Sequence, residues 1–201
     1  MANYLSLMEQ LEALVESLRV GNQTYEQIKE AAVSVLDLID PRRPYGTGLF
    51  DALCRLTVTV TPELVILRTG ATGKEVLLRL RAPEEAYALQ WHSPGSAIRP
   101  GELIEDVKQR IERRECGGVT LPGPVFCGYD NNQVEERGHF LHLVYVCNAT
   151  GFDIPTDGVT TGWFSIDALP TPTVEHHVKV FIPLACGLRV PNRGLNTVQH
   201  Y

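Results

Sequence analysis

The sequence predicts an α/β chain of the α+β kind, a helical pair followed by a strand-rich domain with one amphipathic helix inside it. Three observations carry this. Apolar residues recur at helical spacing over residues 3–40, and from Leu49 they gather in short β-branched runs between Gly, Pro and Asn turns. A Pro/Gly loop over residues 93–102 then leads into a charged helix that Cys116-Gly117-Gly118 stops.

In the N-terminal part, Leu7, Leu11, Leu14 and Leu18 form one apolar stripe, with Met8 and Val15 beside it. Gly21-Asn22 breaks the helix, and Thr24 with Gln27 has the spacing of a capping box that opens a second one. Ile28, Ala31, Ala32, Val35, Leu36 and Ile39 are its expected buried face, and Pro41 to Pro44 ends it. A domain boundary is therefore expected near residue 44. The hairpin has two readings at this point, packing on the main domain or forming the arm of a homodimer.

Strands are expected over Leu53 to Val60, Leu64 to Arg68 and Glu75 to Leu80, with Thr61-Pro62 as a turn between the first two. The second and third form an antiparallel hairpin around a Gly-containing turn. Leu89-Gln90-Trp91 approaches the glycine loop, and Ile104, Val107 and Ile111 give the helix after it a buried stripe. Beyond it come a short strand at Val125 to Tyr129, a turn at Asp130 to Asn132 and a polar loop to Arg137. His139 to Cys147 is the strongest strand in the chain and reads as central. A long loop over residues 148–162, the segment Trp163 to Pro170 and a last helix over Val174 to Leu184 follow. Residues 189–201 read as a polar tail. His139 and His142 fall on opposite faces of one strand, and Glu175, His176 and His177 are expected on a helix surface.

Strand, glycine loop and acid-rich helix is one way to build a phosphate site, with backbone N–H groups for the anion and carboxylates for a cation. The stretch Pro94-Gly95-Ser96 to Pro100-Gly101-Glu102, continued through Arg110 to Gly117, resembles the signature of the Nudix hydrolases. That signature runs Gly, five residues, Glu, seven residues, then Arg-Glu-apolar-x-Glu-Glu-x-Gly-apolar. Glu102, Arg110, Glu115 and Gly117 match it in one register, with Ser96 at its first Gly, Ile111 at its first helix Glu and Arg114 at the next. A second register, shifted by one residue, puts Glu112 and Glu115 at family acids and Gly118-Val119 at the closing pair, but sets Ile111 at the Arg. Neither gives the full set of acids. Trp163-Phe164 through Leu169-Pro170 resembles a further family segment.

The resemblance covers about residues 50–188 and implies a Nudix-like mixed β-sheet sandwiched between helices, in a domain over 45–188. It implies Mg²⁺- or Mn²⁺-assisted attack of water on a nucleoside diphosphate linked to another group. Carried onto this chain, the acids are Glu102, Glu112 and Glu115, with Glu112 and Glu115 as metal ligands. The ligand-binding positions are Gly95, Ser96, Arg99, Gly101, Arg110 and Trp163. Arg110 would pin a carboxylate, either Glu102 or Asp106. Arg99, Arg113 and Arg114 make the region more cationic, which suits phosphate held without metal.

A formal net charge of −6 over 201 residues, without a long basic run, disfavours nucleic acid and anionic membranes as partners. The five cysteines include no C-x-x-C pair and read as free thiols in a reducing, cytoplasmic setting. Two functions of different class remain open. One is a degenerate Nudix domain that recognises a nucleoside-diphosphate-linked small molecule, with hydrolysis weak or lost and no cofactor. The other is an active Mg²⁺-dependent pyrophosphohydrolase of ADP-ribose-like or other nucleoside diphosphate compounds.

Overall fold

The computed structural model describes residues 16, 24–41, 46–188 and 190. The chain divides into two compact units, Met1–Pro44 and Tyr45–Tyr201. In the first, helix α1 spans Tyr25–Leu36, and its N-terminus carries the reciprocal capping box between Thr24 and Gln27. The apolar face expected to be buried is not: none of the helix's residues is buried, and Ile28 and Leu36 are exposed. The first leucine stripe lies outside the described residues.

The second unit opens with helix α2, Gly46–Leu56, where the sequence suggested the start of a strand. Leu49, Phe50, Leu53 and Cys54 have helical spacing, and the β-branched run only begins at Thr57. Strand β1 then runs unbroken over Val58–Thr69. Thr61-Pro62 is not a turn. Proline breaks a strand chiefly by withholding a donor, and here Pro62 serves as an acceptor, taking the Ser96 N–H at 3.2 Å.

Strand β2 is Lys74–Leu80, β3 is Trp91–His92, β4 is Val125–Glu135, β5 is Gly138–Asn148 and β6 is Thr161–Ser165. They form a six-stranded mixed sheet in the order β3-β2-β1-β5-β4, with β6 also on β2. Only β1 and β5 pair in parallel, Val58 opposite His139 through Leu67 opposite Asn148. The expected turn and loop at residues 130–137 are instead the end of β4 and a tight reversal into β5, with Glu135 opposite Gly138.

The split between β1 and β2 positions the site. They pair only from Leu67–Val76 to Thr69–Lys74. Past that point Trp91 and His92 bond to β2, while Leu64 N–H reaches Pro94 O at 2.8 Å and Ile98 N–H reaches Val60 O at 3.0 Å. The glycine loop is thus held in the gap between two strands.

Helix α3, Ile104–Glu115, covers one sheet face, burying Val107 and Ile111 against Leu64, Ile66, Leu77 and Cys147. On the other face a π-helical turn, His177–Phe181, runs into helix α4, Ile182–Ala185, and packs Val180, Phe181 and Ile182 on Val65, Val76 and Val144. The described cysteines are all free. No helix among the described residues is long and apolar enough to cross a membrane.

Gly138, at φ +146°, lies where a Cβ would collide with the Cys54 carbonyl of α2. Gly138→Ala is expected to lose about 2–4 kcal/mol in urea denaturation through strain and the clash. Gly123→Ala, with open space around it, is the matched control and should change stability little.

Candidate functional site

Arg110 organises the loop. Its guanidinium pairs with Glu102 and donates to Ala97 O at 2.7 Å and to Ser96 Oγ at 3.2 and 3.3 Å. Glu102 in turn accepts the Arg99 N–H at 2.8 Å. Asp106 caps α3 by accepting the Leu103 N–H at 2.8 Å, so Arg110 takes Glu102 of its two expected partners. The arginine lies inside the turn, 6% exposed at its side chain, and its planar fork fits this set of acceptors. Gly95 is required where it sits because its missing Cβ leaves room for the Glu63 carboxylate, and Gly101 sits at φ +81°.

The entry to the loop is fixed by histidines. His92 Nδ1–H donates to Ser93 O at 2.8 Å, and Ser93 N–H donates to His177 Nδ1 at 3.0 Å. Both rings are buried, as are His142 and His176. The expectation of His176 and His177 on a helix surface is corrected here. Val174, His177 and Phe181 make one i, i+3, i+7 stripe that packs inward. His176 lies 5.2 Å from His142 and 4.7 Å from His177, ring to ring. Burial, reinforced by Arg81, pushes the His92 pKa down to about 3, and burial pushes His177 well below its usual value, so Nδ1 of His177 stays free to accept. His142 Nδ1 meets Glu63 at 3.1 Å and Thr61 Oγ at 2.7 Å.

The acids of α3 do not converge. Glu112 is buried, paired with Lys108 at 2.9 Å, and accepts the Leu121 N–H at 2.6 Å, which ties the helix to the chain that leaves it. Glu115 is one turn on from Ile111 and faces the end of β2, with Arg79 at 4.0 Å. Its side chain is 9% exposed and Oε2 meets no hydrogen-bond partner among the described residues. Burial, opposed by Arg79 and reinforced by Glu63, pushes its pKa up to about 7. Among the described residues no three His, Cys, Asp or Glu side chains are grouped so as to hold one ion. A divalent cation held by the helix does not fit this donor set, because Glu102 and Glu112 already have cationic partners and Ile111 fills the position one turn before Glu115.

Trp163 stands apart from the loop, in the wall of a cavity of about 530 Å³ between residues 153–158 and the sheet. The Arg68 guanidinium lies over its ring at 4.2 Å and is tied to Glu75 at 2.6 Å. Gly95, Ser96, Arg99, Gly101, Glu102 and Arg110 therefore gather before α3, Glu115 sits near its end with Arg79, and Glu112 is turned inward. Arg68 and Arg79 were not singled out from sequence. Their alternation with Leu67, Val76 and Leu78 was the available signal that they share the α3 side of the sheet.

The two kinds of shifted group act oppositely on stability. Glu115, with a folded pKa above its unfolded one, stabilises below pH 4.5 and costs stability as pH rises to about 7. His92 and His177, shifted down, cost stability as pH falls below 6.5. Glu115→Gln should therefore be more stable than wild type at pH 8, by roughly 3 kcal/mol at most, and equal to it near pH 4. Its own stability should fall from pH 7 to 5, by about 2 kcal/mol for each of His92 and His177. Urea titrations of both proteins across this range test it, and a pH-independent difference would contradict the assignment.

No family model matches the chain. It is 28% identical over 148 residues to the 8-oxo-dGDP phosphatase NUDT18 of Mus musculus, a match covering 70% of this chain and 43% of that protein. The Homo sapiens counterpart is 29% identical over 122 residues, 57% of this chain and 36% of that protein. The chain thus spans less than half the length of these curated relatives. Among solved structures, a mutT/nudix family protein from Listeria innocua aligns with TM-score 0.54 at 17% identity, over 65% of this chain and 94% of that one. The NUDIX domain of Shewanella oneidensis NrtR, complexed with ADP ribose, aligns with TM-score 0.54 at 18% identity, over 77% and 96%. These structural likenesses are likenesses of fold. In sequence the chain is similar to these Nudix relatives, and its fold is the fold of the Nudix proteins.

Proposed function

We propose that this chain recognises a small molecule built on a nucleoside diphosphate, and that its hydrolysis of that molecule is weak or lost. The observation that carries the reading is the commitment of the acids. Glu102 is neutralised by Arg110 and Glu112 by Lys108, which leaves Glu115 beside Arg79 as the one acid of the three without a close ion pair. Hydrolysis of a phosphoanhydride needs its charge neutralised and a water deprotonated, and a lone carboxylate does little of either. Binding requires less. The backbone of the pinned loop and the guanidinium of Arg79 offer donors to phosphate oxygens. The ligand class rests on the relatives, which are named for 8-oxo-dGDP and, in one structure, complexed with ADP ribose.

A second reading, an active pyrophosphohydrolase, is favoured by one feature. Glu115, with its pKa pushed up to about 7, is placed where a general base works best at neutral pH.

Calorimetric titration with ADP-ribose and 8-oxo-dGDP, with Mg²⁺ and with EDTA, alongside phosphate release, separates the two. The expected result is binding that persists in EDTA, no turnover, and about tenfold or greater loss of affinity in Arg110→Ala as the loop is released. Metal-dependent turnover that disappears in Glu115→Gln would establish the hydrolase instead. Absence of binding by any nucleotide would overturn the recognition reading.

A further inference from the structure

We infer that the connection between β2 and β3, residues 81–90, is a lid, and that Tyr87 is the latch that holds it over a buried polar cluster. The inference does not depend on which molecule the chain recognises.

The backbone of this connection is strained. Tyr87 and Leu89 have φ of +56° and +57°, and among the described residues they alone, glycines apart, have positive φ. Bulky side chains adopt that region at a cost, and residues held there concentrate at clamps and switches. Pro83, Glu84, Glu85 and Leu89 are exposed, so their own packing does little to offset it. The base of the connection is closed by backbone bonds, Arg81 N–H to Gln90 O at 3.0 Å and Leu89 N–H to Arg81 O at 3.2 Å. A segment tied at its base and strained beyond it can move as a unit.

Tyr87 holds it down. Its ring meets His176 edge-on at 5.8 Å, and the guanidinium groups of Arg81 and Arg137 lie 5.8 and 6.0 Å from its centroid. These contacts complete a circuit. His176 stacks on His142 at 5.2 Å and His142 on Phe140 at 5.7 Å, and Arg137 lies over Phe140 at 4.6 Å. Phe140 and His142 stand on β5, Arg137 in the reversal before it, and His176 at the start of the π-helical turn. Tyr87 is the one member that the lid supplies. Contacts of cations with aromatic rings are individually weak, so this latch can release while the sheet stays folded.

The latch covers polar groups that are incompletely matched. His142 Nε2, Glu135 Oε2 and Arg81 Nε are buried and meet no hydrogen-bond partner among the described residues. Buried polar atoms in that state are costly, and an opening cover brings them to water. The effect reaches the glycine loop as well. His176 packs on His177 at 4.7 Å, and His177 accepts the Ser93 N–H at 3.0 Å.

Diethyl pyrocarbonate carbethoxylates the neutral imidazoles it can reach, so it reads the lid without any ligand. Full-length wild type, Tyr87→Phe and Tyr87→Ala are labelled briefly at pH 7, and each histidine is quantified by peptide mass spectrometry. His139, partly exposed on the other face of β5 from His142, is the internal reference. Tyr87→Phe keeps the ring and should label as wild type does. Tyr87→Ala should raise labelling of His142 and His176 by about tenfold relative to His139. Equal labelling of these two histidines in wild type and Tyr87→Ala, or Tyr87→Phe labelled as fast as Tyr87→Ala, would overturn the latch. Wild type alone supplies a second measurement. Local opening exposes little surface, so labelling of His176 should stay constant in urea below the unfolding transition. Labelling that rises with urea in step with global unfolding would overturn the lid, even if Tyr87→Ala did not fold.

Discussion

The Arg110 guanidinium inside the turn before α3 is the interaction on which the rest of the site depends. It ties a carboxylate, a hydroxyl and a carbonyl of one loop to a helix that is itself buried on the sheet through Val107 and Ile111. Loops of Pro and Gly have little intrinsic preference for one shape, and ordering them is costly in entropy. Here that cost is offset from both ends. Arg110 holds residues 96–102, and the paired rings of His92 and His177 hold the backbone of Ser93. His177 accepts the Ser93 N–H only while neutral, so the burial that depresses its pKa is part of what shapes the loop.

The same charges that stabilise the frame also occupy its acids. A carboxylate bound to a buried guanidinium or ammonium is a poor ligand for a second cation, since capture would leave the first one unpaired in a low-dielectric setting. Glu102 and Glu112 are in that position. Glu115 is the opposite case: its ion pair with Arg79 is as long as 4.0 Å, so burial dominates and its proton affinity rises. The charges of the helix are instead paired locally, Lys108 with Glu105 and Glu112 and Arg110 with Glu102. On the same side of the sheet stand Arg79, 4.0 Å from Glu115, and Arg68, which lies over Trp163 and is tied to Glu75.

Much of this could be read in the sequence because local rules and tertiary packing agree. The Thr24 capping box, the β1–β2 hairpin, the stripe of α3, the central β5 and the glycine loop each follow from spacing alone. The misses have particular causes. Pro62 carries a turn signal, but the bond made there uses its carbonyl, which proline retains. In Gly46–Leu56 two glycines obscured an apolar repeat that a helix satisfies. His176 and His177 look polar in a list of residue types, yet the stripe from Val174 to Phe181 carries them inside. For the site, Arg110 was legible from motif spacing, while its carboxylate stayed open between Glu102 and Asp106 until the fold chose Glu102. The fate of Glu112 was only half legible: Lys108 stands four residues before it on the same helix, but the Leu121 N–H is a partner that only packing selects.

The most direct test is whether the wild-type chain holds a divalent cation at all. Mn²⁺ titration followed by electron paramagnetic resonance, in wild type and in Glu115→Gln, measures it without reference to any substrate. With the helix acids committed as they are, the free-ion signal should grow with added Mn²⁺ as it does in buffer, and identically for both proteins. A stoichiometric loss of free-ion signal in wild type that Glu115→Gln abolishes would contradict it, and would mean that Glu102 or Glu112 gives up its cation to complete a metal site.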